Sequence, residues 1–340
     1  MTTLVTGASG FVGSAVLREA VQAGHEVKAL LRPTSDRRNL TGQKVEIAIG
    51  DLSNRNSLVK ALAGCDALFH VAADYRLWAS NPEEIYESNV RGTRNIMEVA
   101  SEVGVKRIVY TSSVATLGLN ADGTPSDEDT VVSLKDMIGD YKRSKFLAEE
   151  EVRRLIAEDS LPAVIVNPAA PIGPRDIKPT PTGKMIVQAA AGKMPAFVDT
   201  GLNFVHVDDV AKGHVLAYEK GQVGERYILG AENLTLRQVL AEIARLTRRR
   251  PPFINLPHNL ILPIAYITEA FARLRGGPEP MITVDALKLS KKHMFFSIEK
   301  ARRELDYVPR PAVEALSDAV DWFCRNGYLP RRTVARVHSV

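Results

Sequence analysis

A chain of 340 residues with 45% apolar and 25% charged residues has an ordinary globular composition, which sets aside disordered and fibrous classes. The length exceeds a single core and suits two domains or one large α/β unit. The net charge of +4 is spread over short clusters (Arg37-Arg38, Arg248 to Arg250, Lys291-Lys292, Arg302-Arg303 and Arg331-Arg332), with no stripe and no reader motif for nucleic acid.

The chain opens with an apolar strand at 2–6 that runs into Thr-Gly-Ala-Ser-Gly-Phe-Val-Gly at 6–13 and an amphipathic run over 11–23. A strand that turns through glycines into a helix makes a phosphate cradle. Gly7 allows the tight turn, Gly10 lets backbone approach a pyrophosphate, and Gly13 lets the helix pack on the strand. The helix's unpaired N–H groups then hold the anion of a dinucleotide, which puts Ser9, Gly10, Phe11, Val12 and Gly13 at the cofactor. The second strand, 26–31, ends at Arg32, with Arg37 and Arg38 following. A guanidinium there matches the 2′-phosphate of NADP, whereas an acid such as Asp36 would suit the ribose of NAD. The balance favours NADP, with NAD as the alternative.

A third strand, 45–49, leads to Gly50-Asp51-Leu52, where the carboxylate is placed to accept from an adenine amino group. A helix over 55–63 and a strand over 67–71 follow, and Val71-Ala72-Ala73 lets backbone lie close to the cofactor. His70 reads as a satisfied core histidine. A helix over 83–103 precedes the fifth strand, 107–111, which closes on Thr111-Ser112-Ser113. Tyr141 and Lys145, four apart at the start of a helix over 141–158, project from one face. A free phenol near pKa 10 is a poor proton carrier. A lysine charge about 4 Å away, at an effective dielectric near 20, contributes roughly 4 kcal/mol toward phenolate, which brings the group close to working pH.

A sixth strand over 163–167 completes an alternation that gives the fold class: α/β, a Rossmann-type doubly wound parallel sheet with a smaller C-terminal substrate-binding α/β domain. Prolines 168, 171, 174, 179 and 181 then lead the chain out of the sheet. The division expected is 1–170 plus about 203–230 for the NAD(P)-binding unit, 171–202 and 231–330 for the substrate unit, and a frayed tail at 331–340. Apolar walls around a substrate are expected from Tyr75, Leu77, Trp78, Leu117, Pro171, Ile172 and Met185. No metal-ligating cluster is read from the chain.

Cys65 and Cys324 form no disulfide framework, which indicates a reducing compartment. Met1 runs straight into the first strand and leaves no room for a signal peptide. The most apolar stretch, Leu260 to Ala272, is broken by Pro263 and Glu269 and is too short to span a bilayer. A cytoplasmic protein is expected. The segment from Asn259 to Arg275 reads as a buried helix of the smaller domain, with an interfacial helix as the other reading.

Beyond these separate signals, the chain resembles an extended short-chain dehydrogenase/reductase. The motifs that carry the resemblance are those at 6–13, 50–52, 71–73, 111–113, Tyr-Lys-Arg-Ser-Lys at 141–145 and Asn-Pro at 167–168. Phe-Val-His-Val-Asp-Asp-Val at 204–210 and Lys-Ala-Arg-Arg-Glu-Leu at 300–305 extend it over about residues 2–330. Within that superfamily it is similar to the dihydroflavonol-4-reductase-like branch and to proteins called hopanoid-associated sugar epimerases. The segments 73–78, 111–118 and 179–183 carry that finer likeness.

The resemblance implies Tyr141 as proton donor or acceptor, Lys145 as its tuner and holder of the nicotinamide ribose, and Ser113 rather than Ser112 as the carbonyl-polarising hydroxyl. It also places Asn89, Thr111, Ser112, Asn167, Pro168 and Ala170 near the cofactor. Dimerisation through the helices at 83–103 and 141–158 is usual in related proteins. Dehydratases of the superfamily follow the Ser/Thr with an Asp-Glu pair, whereas here Val114 and Ala115 stand there. Nucleotide-sugar epimerases carry an arginine where Leu202 stands, although Arg175 or Lys291-Lys292 could substitute in gripping a diphosphate. Three functions therefore stand in order: a reductase or dehydrogenase acting on a small or hopanoid-like lipid-linked carbonyl or alcohol, a nucleotide-sugar epimerase with retained NAD, and a non-catalytic NADP sensor. A lipid substrate leaves peripheral membrane contact open.

Overall fold

The computed structural model describes residues 1–79, 81–275, 283–330 and 333. Apart from Thr333, the tail at 331–340 lies outside them. Six strands form in the first half: β1 (Thr2–Thr6), β2 (Glu26–Leu31), β3 (Glu46–Ile49), β4 (Ala67–His70), β5 (Arg107–Thr111) and β6 (Ala163–Pro168). Short strands follow: β7 (Ala170–Ile172), β8 (Ala196–Phe197), β9 (Gly201–His206), β10 (Arg226–Leu229), β11 (Glu232–Thr235), β12 (Ile254–Asn255) and β13 (His293–Met294).

Seven strands make one sheet in the order β3-β2-β1-β4-β5-β6-β10, parallel throughout. Such strands must be apolar on both faces, because crossover helices cover both. One face packs around Val5, Phe69, Val109 and Val166 beneath the helices Phe11–Gln22 and Val207–Lys220. The other packs around Leu4, Leu68, Ile108 and Ile165 beneath Arg55–Leu62, Gly92–Glu102 and Gly139–Asp159. Strand order reverses between β1 and β4, so the crevice at their carboxyl ends is the ligand position of a doubly wound sheet.

The second sheet contains β11, β9 and β13, with β7 paired to β9. Residues 203–206, expected with the larger unit, therefore belong to the smaller sheet, and the chain rejoins the large sheet only through the Val207–Lys220 helix and β10. Local alternation of apolar residues cannot tell which of two sheets a strand joins. A separate core around Ile186, Phe204, Ile243, Leu316 and Phe323 supports this sheet. The 83–103 helix is interrupted: Glu83–Tyr86 and Gly92–Glu102 flank a π-helical turn at Glu87–Arg91. The 259–275 segment is helical, within His258–Arg275, but it is not buried; Ile261 and Ala265 pack inward while Leu260 and Ile267 are 68% and 69% exposed. Among the described residues no helix is long and apolar enough to cross a membrane.

The glycine turn admits no side chain at positions 7 and 13. Gly7 adopts φ +66°, and a Cβ on it would lie 2.8 Å from the Ala72 backbone; a Cβ on Gly13 would lie 2.1 Å from the Gly7 carbonyl oxygen. At Gly10 the nearest approach is 3.2 Å. Gly13→Ala should therefore destabilise by more than about 2 kcal/mol and abolish cofactor binding, while Gly10→Ala costs about 1 kcal/mol or less; urea unfolding of the two variants measures the contrast.

Candidate active site

The helix after β1 begins on Gly10, which offers no side-chain cap, and its first turn holds no acid. Its leading N–H groups, at Phe11, Val12 and Gly13, thus remain free for an anion. The turn is fixed from across the sheet. Thr6 Oγ1 accepts from Val71 N and Ala72 N, both at 3.0 Å, so its own proton goes to His70 Nδ1, 2.8 Å away. His70 then carries its proton on Nε2 and donates to Thr93 at 3.1 Å. Burial, with Lys145 nearby, pushes His70 down to about 3, so it is a neutral structural residue, as expected.

These contacts bring the Val71 and Ala72 backbone against Gly7, with Ala73 following. Such a cradle, which a single Cβ would fill, fits a dinucleotide. Arg32 and Arg37 are exposed past β2, while Arg38 binds Asp36 bidentately. That pairing occupies the one acid of this loop that could chelate a ribose. Asp51 lies past β3, held below the usual carboxylate range by the Ser53 backbone N–H and hydroxyl, with Leu52 beside it.

Helix Gly139–Asp159 starts two residues earlier than the Tyr-Lys spacing indicates, on Gly139 at φ +81°. It presents Tyr141, Lys145 and Glu149 on one face, four residues apart. Tyr141 is half-buried, with the Ser113 side chain close enough to bear on its proton; the Ser113 hydroxyl accepts from Ala115 N at 3.1 Å. Lys145 is buried, donating to the Thr111 carbonyl at 2.8 Å and to the Tyr110 hydroxyl at 3.4 Å. The expected lowering of Tyr141 by Lys145 is absent here: burial pushes the phenol up, and the counterweight is Ser113. The ammonium is directed at Thr111 and Tyr110 instead, so Tyr141 stands as a protonated phenol. Burial pushes Lys145 down to about 8 against the pull of Glu149.

Glu149 was invisible as a functional residue, yet it organises the floor of the site. It is 2% exposed, and Oε2 accepts from Ser112, from Thr116 at 2.8 Å and from Asn167 at 3.0 Å. Oε1 accepts from Arg226 at 3.0 Å. Burial would raise this carboxyl, but the Ser112 hydroxyl and the Arg226 charge hold it below its ordinary range. The four-residue step from Lys145 was the signal that could have found it.

Several expected contacts are redirected by this floor. The Ser112 hydroxyl, expected at the cofactor, turns inward to Glu149, which leaves Ser113 as the hydroxyl beside Tyr141. Asn167 is fully buried and donates to the Ser113 carbonyl, Thr116 and Glu149, so it props the serine turn from below. The Thr111 hydroxyl bonds His214 while its carbonyl takes Lys145. Asn89, in the π-helical turn, accepts from Asp74 N and donates to Asp74 O and Ser144, tying the 71–74 stretch to the catalytic helix. Pro168 ends β6 and Ala170 opens β7.

Of the expected apolar walls, Tyr75 is 46% exposed, while Trp78 and Pro171 are half-buried. Ile172 is 1% exposed and belongs to the core of the smaller unit, with Met185 packed against that core. Leu202 packs there too. Arg175, considered as a diphosphate grip, is ion-paired with Asp208.

Residues 3–230 match the family described as the NAD dependent epimerase/dehydratase family. The chain belongs to that family. It is 43% identical, over 96% of its length and 95% of the relative, to a protein of Synechocystis sp. named as a dihydroflavonol 4-reductase. It is 38% identical to sterol demethylase protein B of Methylococcus capsulatus, over 97% of this chain and all of that one. Among solved structures, gox2253 shares 54% identity and superposes with a TM-score of 0.88 over 97% of this chain and 99% of its own. As a member of this family the chain is an NAD(P)-dependent oxidoreductase of the extended short-chain dehydrogenase/reductase superfamily.

Lys145 provides a pH signature in the protein without cofactor. Its folded pKa of about 8 lies below the 10.5 of a free lysine, so between these values the unfolded chain binds more protons. Stability relative to Lys145→Met should therefore rise by on the order of 3 kcal/mol from pH 8 to 10.5 and stay level below pH 8. Thermal unfolding of both proteins across that range reads the difference.

Proposed function

We propose that this enzyme is a carbonyl reductase, or in reverse an alcohol dehydrogenase, that uses NADP and acts on an apolar, lipid-like carbonyl. The observation that carries the reading is a protonated Tyr141 phenol with the Ser113 side chain beside it, above a floor that already engages Ser112. A bound nicotinamide would supply or accept hydride at the substrate carbon. Gly7 to Gly13 would hold its pyrophosphate, Arg32 and Arg37 its 2′-phosphate, Asp51 and Leu52 its adenine, and Lys145 its ribose.

Ser113 orients the carbonyl oxygen by a hydrogen bond. Tyr141 gives that oxygen its phenolic proton as the carbon becomes tetrahedral, and water later restores it. Residues 171–202 and 231–330 are read as the substrate side, with Tyr75, Trp78 and Pro171 as its apolar contacts. Leu202 within the apolar core, where epimerases of the family carry an arginine, supports reduction over nucleotide-sugar epimerisation. The names of the two relatives point the same way, one a reductase and one a sterol-processing protein. A hopanoid or other isoprenoid carbonyl fits these features.

NADPH should be consumed with long-chain aldehydes or ketones and NADH used at least tenfold less well. Tyr141→Phe should lower kcat by more than a thousandfold while the NADPH Kd stays within twofold. Tightly retained NAD, with no net consumption and activity on a nucleotide sugar, would instead establish the epimerase.

A cytoplasmic homodimer with peripheral membrane contact completes the reading. Both cysteines are free and buried, as in a reducing compartment. Leu260, Ile267 and Phe271 are exposed on one helix beside the 88%-exposed Phe253, the apolar face an interfacial helix needs. The dimer is expected through the helices at 83–103 and 139–159. Flotation with anionic vesicles should carry the wild type and leave a Phe253→Ser/Ile267→Ser/Phe271→Ser variant behind, and light scattering should give twice the chain mass for both.

A further inference from the structure

A second cavity, of about 330 Å³, lies where the Phe11–Gln22 helix, the 38–43 stretch and the loop at 175–177 meet the C-terminal Ala312–Arg325 helix. Arg18, Arg38 and Arg175 line it, and no Asp or Glu does. None of the residues at 6–13, Ser113, Tyr141 or Lys145 lines it, so its walls differ from those of the cofactor cradle, which it meets through Asn39.

The cationic wall is incompletely satisfied by the described residues. Arg18 donates one Nη1 bond to the Asn39 carbonyl, at 3.4 Å, and its buried Nη2 has no partner among them. Arg175 spends Nη2 on Asp208, and its buried Nε has no partner among them. Buried guanidinium nitrogens without acceptors are costly unless something fills them. Arg175 itself is held at φ +75°, a left-handed conformation that non-glycine residues rarely adopt. The two positive side chains also oppose one another: burial first, and Arg175 second, push Arg18 down to about 10. Buried Asn39 holds the loops together, donating to Ser9 O and Arg175 O at 3.3 Å each. On the far wall the Trp322 and Tyr328 rings lie 5.3 Å apart, and Tyr328 is anchored by donating to the Ile177 carbonyl at 2.7 Å.

We propose that this cavity is a second anion site, which takes the phosphate or diphosphate of a small molecule on Arg18 and Arg175, with Arg38 at its mouth. Phosphate oxygens supply the acceptors that the two orphaned N–H groups lack, and guanidinium matches them in geometry. The volume exceeds a lone phosphate and leaves room for a group against Trp322 and Tyr328.

The test is calorimetric titration of the full-length protein, kept saturated with NADPH, with pyrophosphate and separately with AMP. One site per chain with a submillimolar Kd is expected, weakening as NaCl is raised. AMP binding more tightly than pyrophosphate assigns the site to a nucleotide; equal affinity assigns it to phosphate groups alone. Arg18→Gln should weaken either probe at least tenfold, with an unchanged NADPH Kd. Arg38→Gln, on a side chain 65% exposed whose hydrogen bonds go to Asp36, should weaken it several-fold. Absence of heat, displacement of the probe by NADPH, or unaltered affinity in both variants would overturn the proposal. None of these readouts depends on turnover, so a failed reductase assay leaves the result intact.

Discussion

A single buried carboxylate holds the two halves of the catalytic site in register. Glu149 sits in a low-dielectric interior, where an ionised group must be surrounded by donors or lose its proton. It gathers Ser112, Thr116 and Asn167 on one oxygen and Arg226 on the other. Those donors come from the turn after β5, from β6 and from β10, while Glu149 itself lies on the helix that carries Tyr141 and Lys145. Satisfying the charge therefore positions the serine turn against the catalytic helix. The hydroxyl at 113 is left facing Tyr141 because the one at 112 is already engaged.

The cofactor end follows the same logic with neutral groups. Thr6 uses every hydrogen-bonding capacity of its hydroxyl, accepting twice and donating once, so the ends of β1 and β4 and the His70 tautomer are set together. Gly7 can then approach Ala72 only because neither residue has bulk at the contact. A similar constraint acts in the smaller unit. A Cβ on Gly183 would fall 2.0 Å from Asp176 Oδ2, and that acid, pushed up to about 6 by burial, also accepts from Thr180 N and Oγ1. The Pro-Thr-Pro-Thr-Gly segment thus reads as a packing requirement of one buried acid.

Much of this was legible in the order of residues. The parallel sheet, the glycine turn, the Tyr141-Lys145 face and the neutral role of His70 rest on period, turn chemistry and burial, all of which act over short stretches. Less legible was anything set by a partner far along the chain. Asn167 is 18 residues from Glu149, Thr111 is 103 from His214, and β9 chose the smaller sheet through β7, β11 and β13. The apolar period of His258–Arg275 was real, but its outward face depends on what packs beneath it.

By itself the amino-acid sequence determined the element types, the glycine turn and the shared helix face of Tyr141 and Lys145, because backbone propensity and side-chain spacing are local properties. Tertiary structure alone decided which serine faces the phenol, where the Lys145 charge points, and that Arg18 and Arg175 converge on one cavity. Those outcomes depend on which distant donors and acceptors are brought within about 3 Å of each other, and distance in the chain carries no record of that.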